Sequence, residues 1–488
     1  MKAGFAERII TPEVGLERPG GYRKVFHQVF HDHCKVRAAV FADGASAVAV
    51  VGVDALGLPG HLVSRAREAI EARCGIPGGS VLVAASHSHS AGPLLMVQPG
   101  EFDGADALVR HLAYGISSAA DAEYTERVYR QLVDAVCRAY ESREEVMCGV
   151  GVGTEGQVAF NRRWRMSNGQ CWSHPRPGNP DIVEAAGPID PDVGVIGVWD
   201  ASGGLKGCVV NYACHGTTSP GGISADWVYY LETTIRGALG SDAVVVFLNG
   251  NCGDVTQVAN VTDRARRVGE AGSRFVGGRV GAEAVKVLLS VDRGELLPLA
   301  SAQDILRLER RHPKPERVER SRALCEEAVG AFLRRGEDPV KIQMSTEAIF
   351  AKEILLLDYL LQEAPTREVE LQAIQIGPAV LLANPAEYFC QYGLDLKERC
   401  RFPFTFPVEL ANDTVGYVPT REALEDGGGG YETRLTSYSN LEVGAGDAIR
   451  DGLLGLAAAM SPGSAPAAPP APAFTAPWEY GSTPPERD

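Results

Sequence analysis

The chain lacks any long apolar run: among its 488 residues there is no stretch of about 18 apolar positions, so no membrane-spanning helix is expected. Residues 1–8 lack the apolar core of a secretory signal, and the expectation is a cytoplasmic protein. Long basic runs are missing as well. With a net charge of −15, the chain is expected to bind neither nucleic acid nor an anionic membrane surface. A small molecule is then the expected partner, and self-association into a homo-oligomer stays open. No Cys-x-x-Cys pair occurs among the eleven cysteines, whose odd number and scatter point to reduced thiols. The composition that remains is ordinary and globular, 45% hydrophobic and 22% charged, enough to bury a large core.

Apolar periodicity alternates between two spacings along the chain. Residues 36–41 and 47–53 read as strands joined by an Asp43-Gly44 turn. Residues 62–73 read as an amphipathic helix stopped by Gly75. Tyr124, Val128, Leu132, Val136 and Tyr140 recur at helical spacing and predict a core-facing stripe. Residues 224–239 and 263–291 predict two more helices. This alternation predicts an α/β fold with mixed β-sheet layers flanked by helices. One domain is expected over 1–460, with a charged helical excursion at 307–365. A flexible tail rich in Pro and Ala follows at 461–488, with Trp478 or Tyr480 as a docking aromatic.

Four short apolar runs end in small residues plus a polar side chain. Residues 80–85 lead into Ser86-His87-Ser88-His89-Ser90, and 209–214 lead into His215. Residues 243–248 lead into Asn249-Gly250-Asn251-Cys252-Gly253-Asp254-Val255-Thr256, and 380–384 lead into Pro385-Ala386-Glu387. Strand ends that open together onto a crevice are where open α/β sheets bind ligands. If the strand conformation persists, His87 and His89 project to the same side. A His-x-His pair is also what a satisfied turn looks like. In company with His215 and Glu387, however, it reads as a metal site of the kind that suits zinc, placed at the strand ends. A further cluster of His27, His31 and His33 reads mainly as polar loop.

These motifs, in this order, resemble the catalytic domain of the neutral/alkaline non-lysosomal ceramidase family. The resemblance runs from Ala3-Gly4 to about Asp447. It rests on Ile9-Ile10-Thr11-Pro12, His31-Asp32, Val53-Asp54, the histidine loop with Ala91 inserted before Gly92-Pro93, Phe160-Asn161-Arg162-Arg163, Ser224-Ala225-Asp226, Gly253-Asp254-Val255 and Asn384-Pro385-Ala386-Glu387. Tyr417-Val418-Pro419-Thr420 through Tyr431-Glu432 resemble the family's late metal-binding half. The resemblance implies a zinc ion held by His87, His215, Glu387 and Tyr431, with Tyr417 as the competing phenol. It places His89 beside the metal as a hydrogen-bond partner or oxyanion stabiliser. Asp226 and Asp54 would orient a ligand or carry a proton.

The chain departs from that family at Thr256, where the family has a serine implicated as nucleophile, and at Gln257, where it has proline. Threonine can attack only with an activating base. A zinc-activated water is therefore the expected nucleophile, with Thr256 as the alternative. The family's carboxy-terminal β-sandwich is not expected in this chain. Residues 161–191, rich in proline, read as an irregular loop, and Arg162, Arg163 and Trp172 are its candidate substrate-binding residues. Residues 93–124 are a second lid candidate. The resulting expectation is a zinc-dependent hydrolase of an amide, or else of an ester or lactone, in a small soluble metabolite. The alternatives are an isomerase or cyclase using the same zinc, or a non-catalytic scaffold.

Overall fold

The computed structural model describes residues 1–261, 268–335, 344–467, 473, 478, 480–481 and 484–488, with side chains left aside over 331–335. Three mixed sheets dominate. The first runs Val81–Ala85, Ala47–Val53, Lys35–Ala42, Lys2–Ile9, Glu144–Glu145. The second runs Val244–Asn249, Leu205–Tyr212, Asp192–Trp199, Met147–Thr154, and the third Leu299–Glu309, Thr366–Ile376, Ala379–Ala383, Phe404–Val408. Each sheet contains one parallel pair and is otherwise antiparallel.

Side-chain alternation explains why these strands are nearly all apolar. In Lys35–Ala42, Val36, Ala38 and Val40 face the helices Gly60–Cys74 and Ala122–Glu141. Ala39 and Phe41 face inward, into a core shared with Ile196, Val209 and Val246 of the second sheet and Ile374, Leu381 and Phe406 of the third. Strands covered on both faces lose the polar half of the alternation. Trp227–Leu239 and Gly269–Ser290 cover the second sheet, and Cys390–Arg399 and Ala445–Ala458 cover the third. This is the mixed α/β architecture expected from the sequence.

A parallel pair needs a crossover, and here each crossover is a helix: Gly60–Cys74, Trp227–Leu239 and Cys390–Arg399. The carboxyl ends of the six paired strands lead into the segments carrying Asp54, His87, His215, Cys252, Glu387 and Glu409. A single topological device, repeated three times, thus gathers polar residues from distant parts of the chain.

Several local expectations change. The stop at Gly75 holds, with φ 72° in the left-handed region that glycine tolerates. Residues 161–191 are not an irregular loop: Arg163–Met166, Cys171–Ser173 and Ile182–Ala185 form a small antiparallel sheet. Their proline and polar content masks strands of only three or four residues. Residues 307–309 belong to the strand Leu299–Glu309, because Leu306 and Leu308 alternate with Arg307 and Glu309 at period two. The charged helix follows as Pro315–Arg335, and Thr346–Glu363 packs against it; residues 336–337 lie outside the described set. The helix expected over 263–291 is described from Gly269, and 263–267 lie outside the described residues. Much of the 461–488 tail also lies outside them. Trp478 and Tyr480 are 74% and 68% exposed, and their rings meet edge-on. All eleven cysteines are free. No helix among the described residues is long and apolar enough to cross a membrane.

Candidate metal centre

His87 follows the strand Val81–Ala85 at φ 60°, so the extended backbone does not persist through the pair. The two rings converge nonetheless, with His89 Nε2 at 3.2 Å from His87 Nε2. His87 Nδ1 lies 2.7 Å from the Leu56 carbonyl. A carbonyl only accepts, so Nδ1 carries a proton and Nε2 is the nitrogen that faces the centre. His215 arrives from the second sheet. Its loop is pinned to the first histidine loop where Gly216 bridges Ser88 and accepts from His89 N at 2.9 Å.

Glu387 comes from the third sheet. Its Oε2 lies 3.3 Å from His87 Nε2 and 3.5 Å from His215 Nε2. Among the described residues, His87, His89 and His215 form the group whose ligand nitrogens lie within 4.8 Å of one another. His215 Nε2 and Glu387 Oε2 are buried with no hydrogen-bond partner. Buried polar atoms without partners are costly, and these two face each other across the space a cation would fill. The donor set, imidazoles plus a carboxylate, is one that zinc takes. The residues therefore fit the metal that the sequence implied.

The electrostatics divide the site: burial opposes the charge on His87, but Glu387 outweighs it and raises that imidazole above its ordinary value, while the other two are lowered. Burial, Arg162 and His87 drive His215 down to about 3, and burial with its two neighbouring histidines holds His89 far below the usual range. Both are neutral, as ligation requires. Burial opposes the charge on Glu387, but His87 and His215 outweigh it and hold the carboxyl well below its usual value.

Tyr417 is the direct cross-strand neighbour of Glu387, in the short parallel pair Ala386–Tyr388 with Gly416–Val418. Its hydroxyl lies 2.8 Å from that of Tyr431, so both candidate phenols reach the site together. Arg162 fixes them. Its Nε donates to Glu432 at 2.6 Å, and its Nη2 to the Gly253 carbonyl at 2.7 Å and Tyr417 at 3.1 Å. Thr256 lines the same cavity, whose volume is about 620 Å³. Its hydroxyl donates to Gln257 Oε1 at 2.7 Å, an amide oxygen that cannot serve as a base.

Four expected site residues lie elsewhere. Asp54 does not line the cavity; it accepts from Lys35 N at 2.7 Å and Arg37 Nη1 at 2.8 Å, as part of an ion-pair network. Asp226 does not line it either. It caps the helix Trp227–Leu239, accepting from the backbone of Thr218, Ser219 and Trp227 at 3.1, 2.9 and 2.9 Å. With its oxygens occupied by donors, it holds a loop in shape. Arg163 donates to the Gly429 carbonyl at 2.8 Å and stacks on Phe389. Trp172 is 41% exposed and donates to Gln170. Neither lines the cavity; the two lie on opposite faces of the small sheet, where Arg163 is opposite Ser173 and Trp172 is opposite Trp164. Residues 93–124 do contribute, through Leu95, Met96 and Phe102. His27, His31 and His33 are dispersed among Ala91, Asp32 and Thr11.

One group escaped the sequence reading. Glu409 is fully buried and accepts from Cys252 N, Tyr388 N and the Cys252 thiol at 2.9, 3.0 and 2.9 Å. Burial pushes it up to about 8. The Cys252 sulfur also lies 3.3 Å from His215 Nδ1. The signal was present: Glu409 follows the apolar run 404–408 just as Glu387 follows its own.

No protein-family model and no curated protein matches the sequence. Solved structures do match. A ceramidase complexed with C2 superposes with TM-score 0.67 at 18% identity, over 96% of this chain and 77% of that one. The neutral ceramidase from Pseudomonas aeruginosa gives 0.66 at 19% identity, over 96% and 76%. From the first strand to the last helix, the chain has the neutral ceramidase fold.

Proposed function

We propose that this protein is a zinc-dependent hydrolase that cleaves an amide bond in a small metabolite. One observation carries the reading: His215 Nε2 and Glu387 Oε2 are buried and unpartnered, facing His87 in a cavity wide enough for a small molecule. His87, His215, Glu387 and a phenol of the Tyr417–Tyr431 pair would hold the metal. Bound zinc supplies a Lewis acid and lowers the pKa of a water towards ~7. His89, neutral and beside His87, can donate a hydrogen bond to the oxyanion that develops on the attacked carbonyl. Arg162 keeps both phenols in place. Thr256, bonded to Gln257, orients rather than attacks.

The test is metal content and turnover together. His87→Ala, His215→Ala and Glu387→Ala should each lose most bound zinc and nearly all amide hydrolysis. Fully metallated, active variants at two of these positions would sink the assignment. Turnover in heavy-oxygen water should place the label in the released carboxylic acid. Its absence from any product would mean isomerisation or cyclisation instead.

A further inference from the structure

The cavity carries a charge with no ion-pair partner among the described residues. Arg310 lines it, and its Nε and Nη1 are buried without a hydrogen-bond partner. The other cations of the cavity are each paired. Arg162 meets Glu432 at 2.6 Å, Arg367 meets Asp413 at 2.6 Å, and Lys352 meets Glu353 at 2.7 Å. Among the described residues, Arg310 has no ion pair. The acid in its field is Glu101, one oxygen of which, Oε2, accepts from Gln98 N at 2.9 Å. Arg310 is held in place by its backbone, which bridges Leu441 and donates to the Pro365 carbonyl at 3.0 Å.

A guanidinium has five donors and no acceptor, and withdrawing it from water without a counter-charge is unfavourable. Arg310 itself lines the cavity, and that is the side from which an anion would reach it. The cavity wall also carries apolar side chains, among them Leu95, Met96, Phe102 and Leu356. An occupant that meets all three features carries an amide, an apolar group and an anion.

We propose that the substrate is an amide bearing a carboxylate, as in an N-acyl amino acid, and that Arg310 binds that carboxylate. This rests on the amide-hydrolase reading above. The reaction breaks the acyl C–N bond. The water oxygen goes to the acyl carbon and a proton to the leaving nitrogen, giving a carboxylic acid and an amine. Arg310 takes no part in that chemistry and sets specificity.

The experiment is calorimetric binding of N-acylglycines, acetyl to octanoyl, each against the matching N-acylglycinamide, on the zinc-loaded protein at low salt. The acids should bind about tenfold more tightly than their amides, as charge-assisted contacts to a poorly solvated guanidinium do. Arg310→Gln should bring each pair within about twofold, and Arg310→Lys should keep part of the preference. Zinc content and thermal unfolding identify a misfolded variant. Wild-type protein without a preference anywhere in the panel overturns the proposal regardless of the variants, as does Arg310→Gln that retains it. A carboxylate preference with no release of glycine would leave Arg310's role standing and remove the hydrolase reading instead.

Discussion

Thr256 separates two chemistries by a single hydroxyl. It donates to Gln257 and has no base beside it, so removing it should be mild. Thr256→Val keeps the shape and should lose about 1 kcal/mol, roughly fivefold in rate. A nucleophile's loss would instead exceed ~1000-fold in kcat. Steady-state kinetics with zinc content held constant decide between them. Cys252 acts at the same scale from behind His215. Its sulfur touches Nδ1 while its thiol donates to Glu409, so it fixes which face His215 presents. Cys252→Ala should weaken zinc affinity by about 10- to 100-fold, the usual effect of losing such a partner. Cys252→Ser should restore most of it. A competition titration with a chelator reads both.

The elements around the site are tied by backbone as much as by side chains. A Cβ on Gly216 would sit 2.6 Å from the His87 carbonyl oxygen, and backbone cannot yield as a side chain does. Gly216→Ala should therefore cost about 1–3 kcal/mol of stability and weaken zinc binding, because it pushes two histidine loops apart. Asp226, at φ 57°, is the cap that shapes the loop after His215. Asp226→Ala should lower stability by about 1–2 kcal/mol, with activity in the folded fraction falling far less than at His87. A stable, fully metallated but dead variant would return Asp226 to the chemistry.

At the scale of the whole molecule, a buried ion-pair network joins the first sheet to the helix layer of the second. Arg37 Nη1 meets Asp54 at 2.8 Å and its Nη2 meets Glu232 at 2.5 Å, while Lys35 meets Glu232 at 2.7 Å. Burial opposes ionisation of Glu232, but Arg37 and Lys35 outweigh it and bring its carboxyl from 4.5 down to about 2. A depressed carboxyl stabilises the folded state above its unfolded pKa. That stabilisation, about 3 kcal/mol, should be intact above pH 4.5 and vanish as pH falls towards 2. Glu232→Gln should be less stable at neutral pH and show a shallower loss over that window. Urea denaturation at a series of pH values measures it, and an unchanged slope would place the proton uptake elsewhere.

The sequence by itself determined the alternation of strands and helices, the strand-end placement of His87, His215 and Glu387, and the stop at Gly75. These are properties of periodicity and of residues adjacent in the chain, so local physics reveals them. The pairing of Tyr417 with Glu387 was half legible, as one of two phenols. Only the tertiary structure decided the rest. Asp54 and Asp226 carry the right chemistry for a proton relay, yet one is consumed by Arg37 and the other by three backbone amides. Arg163 and Trp172 neighbour Arg162 in the chain, but only Arg162 reaches the cavity. Whether a charged side chain is spent or spare depends on what lies across space. Arg310 shows this most plainly: of the three arginines that line the cavity, it is the one without an ion pair among the described residues.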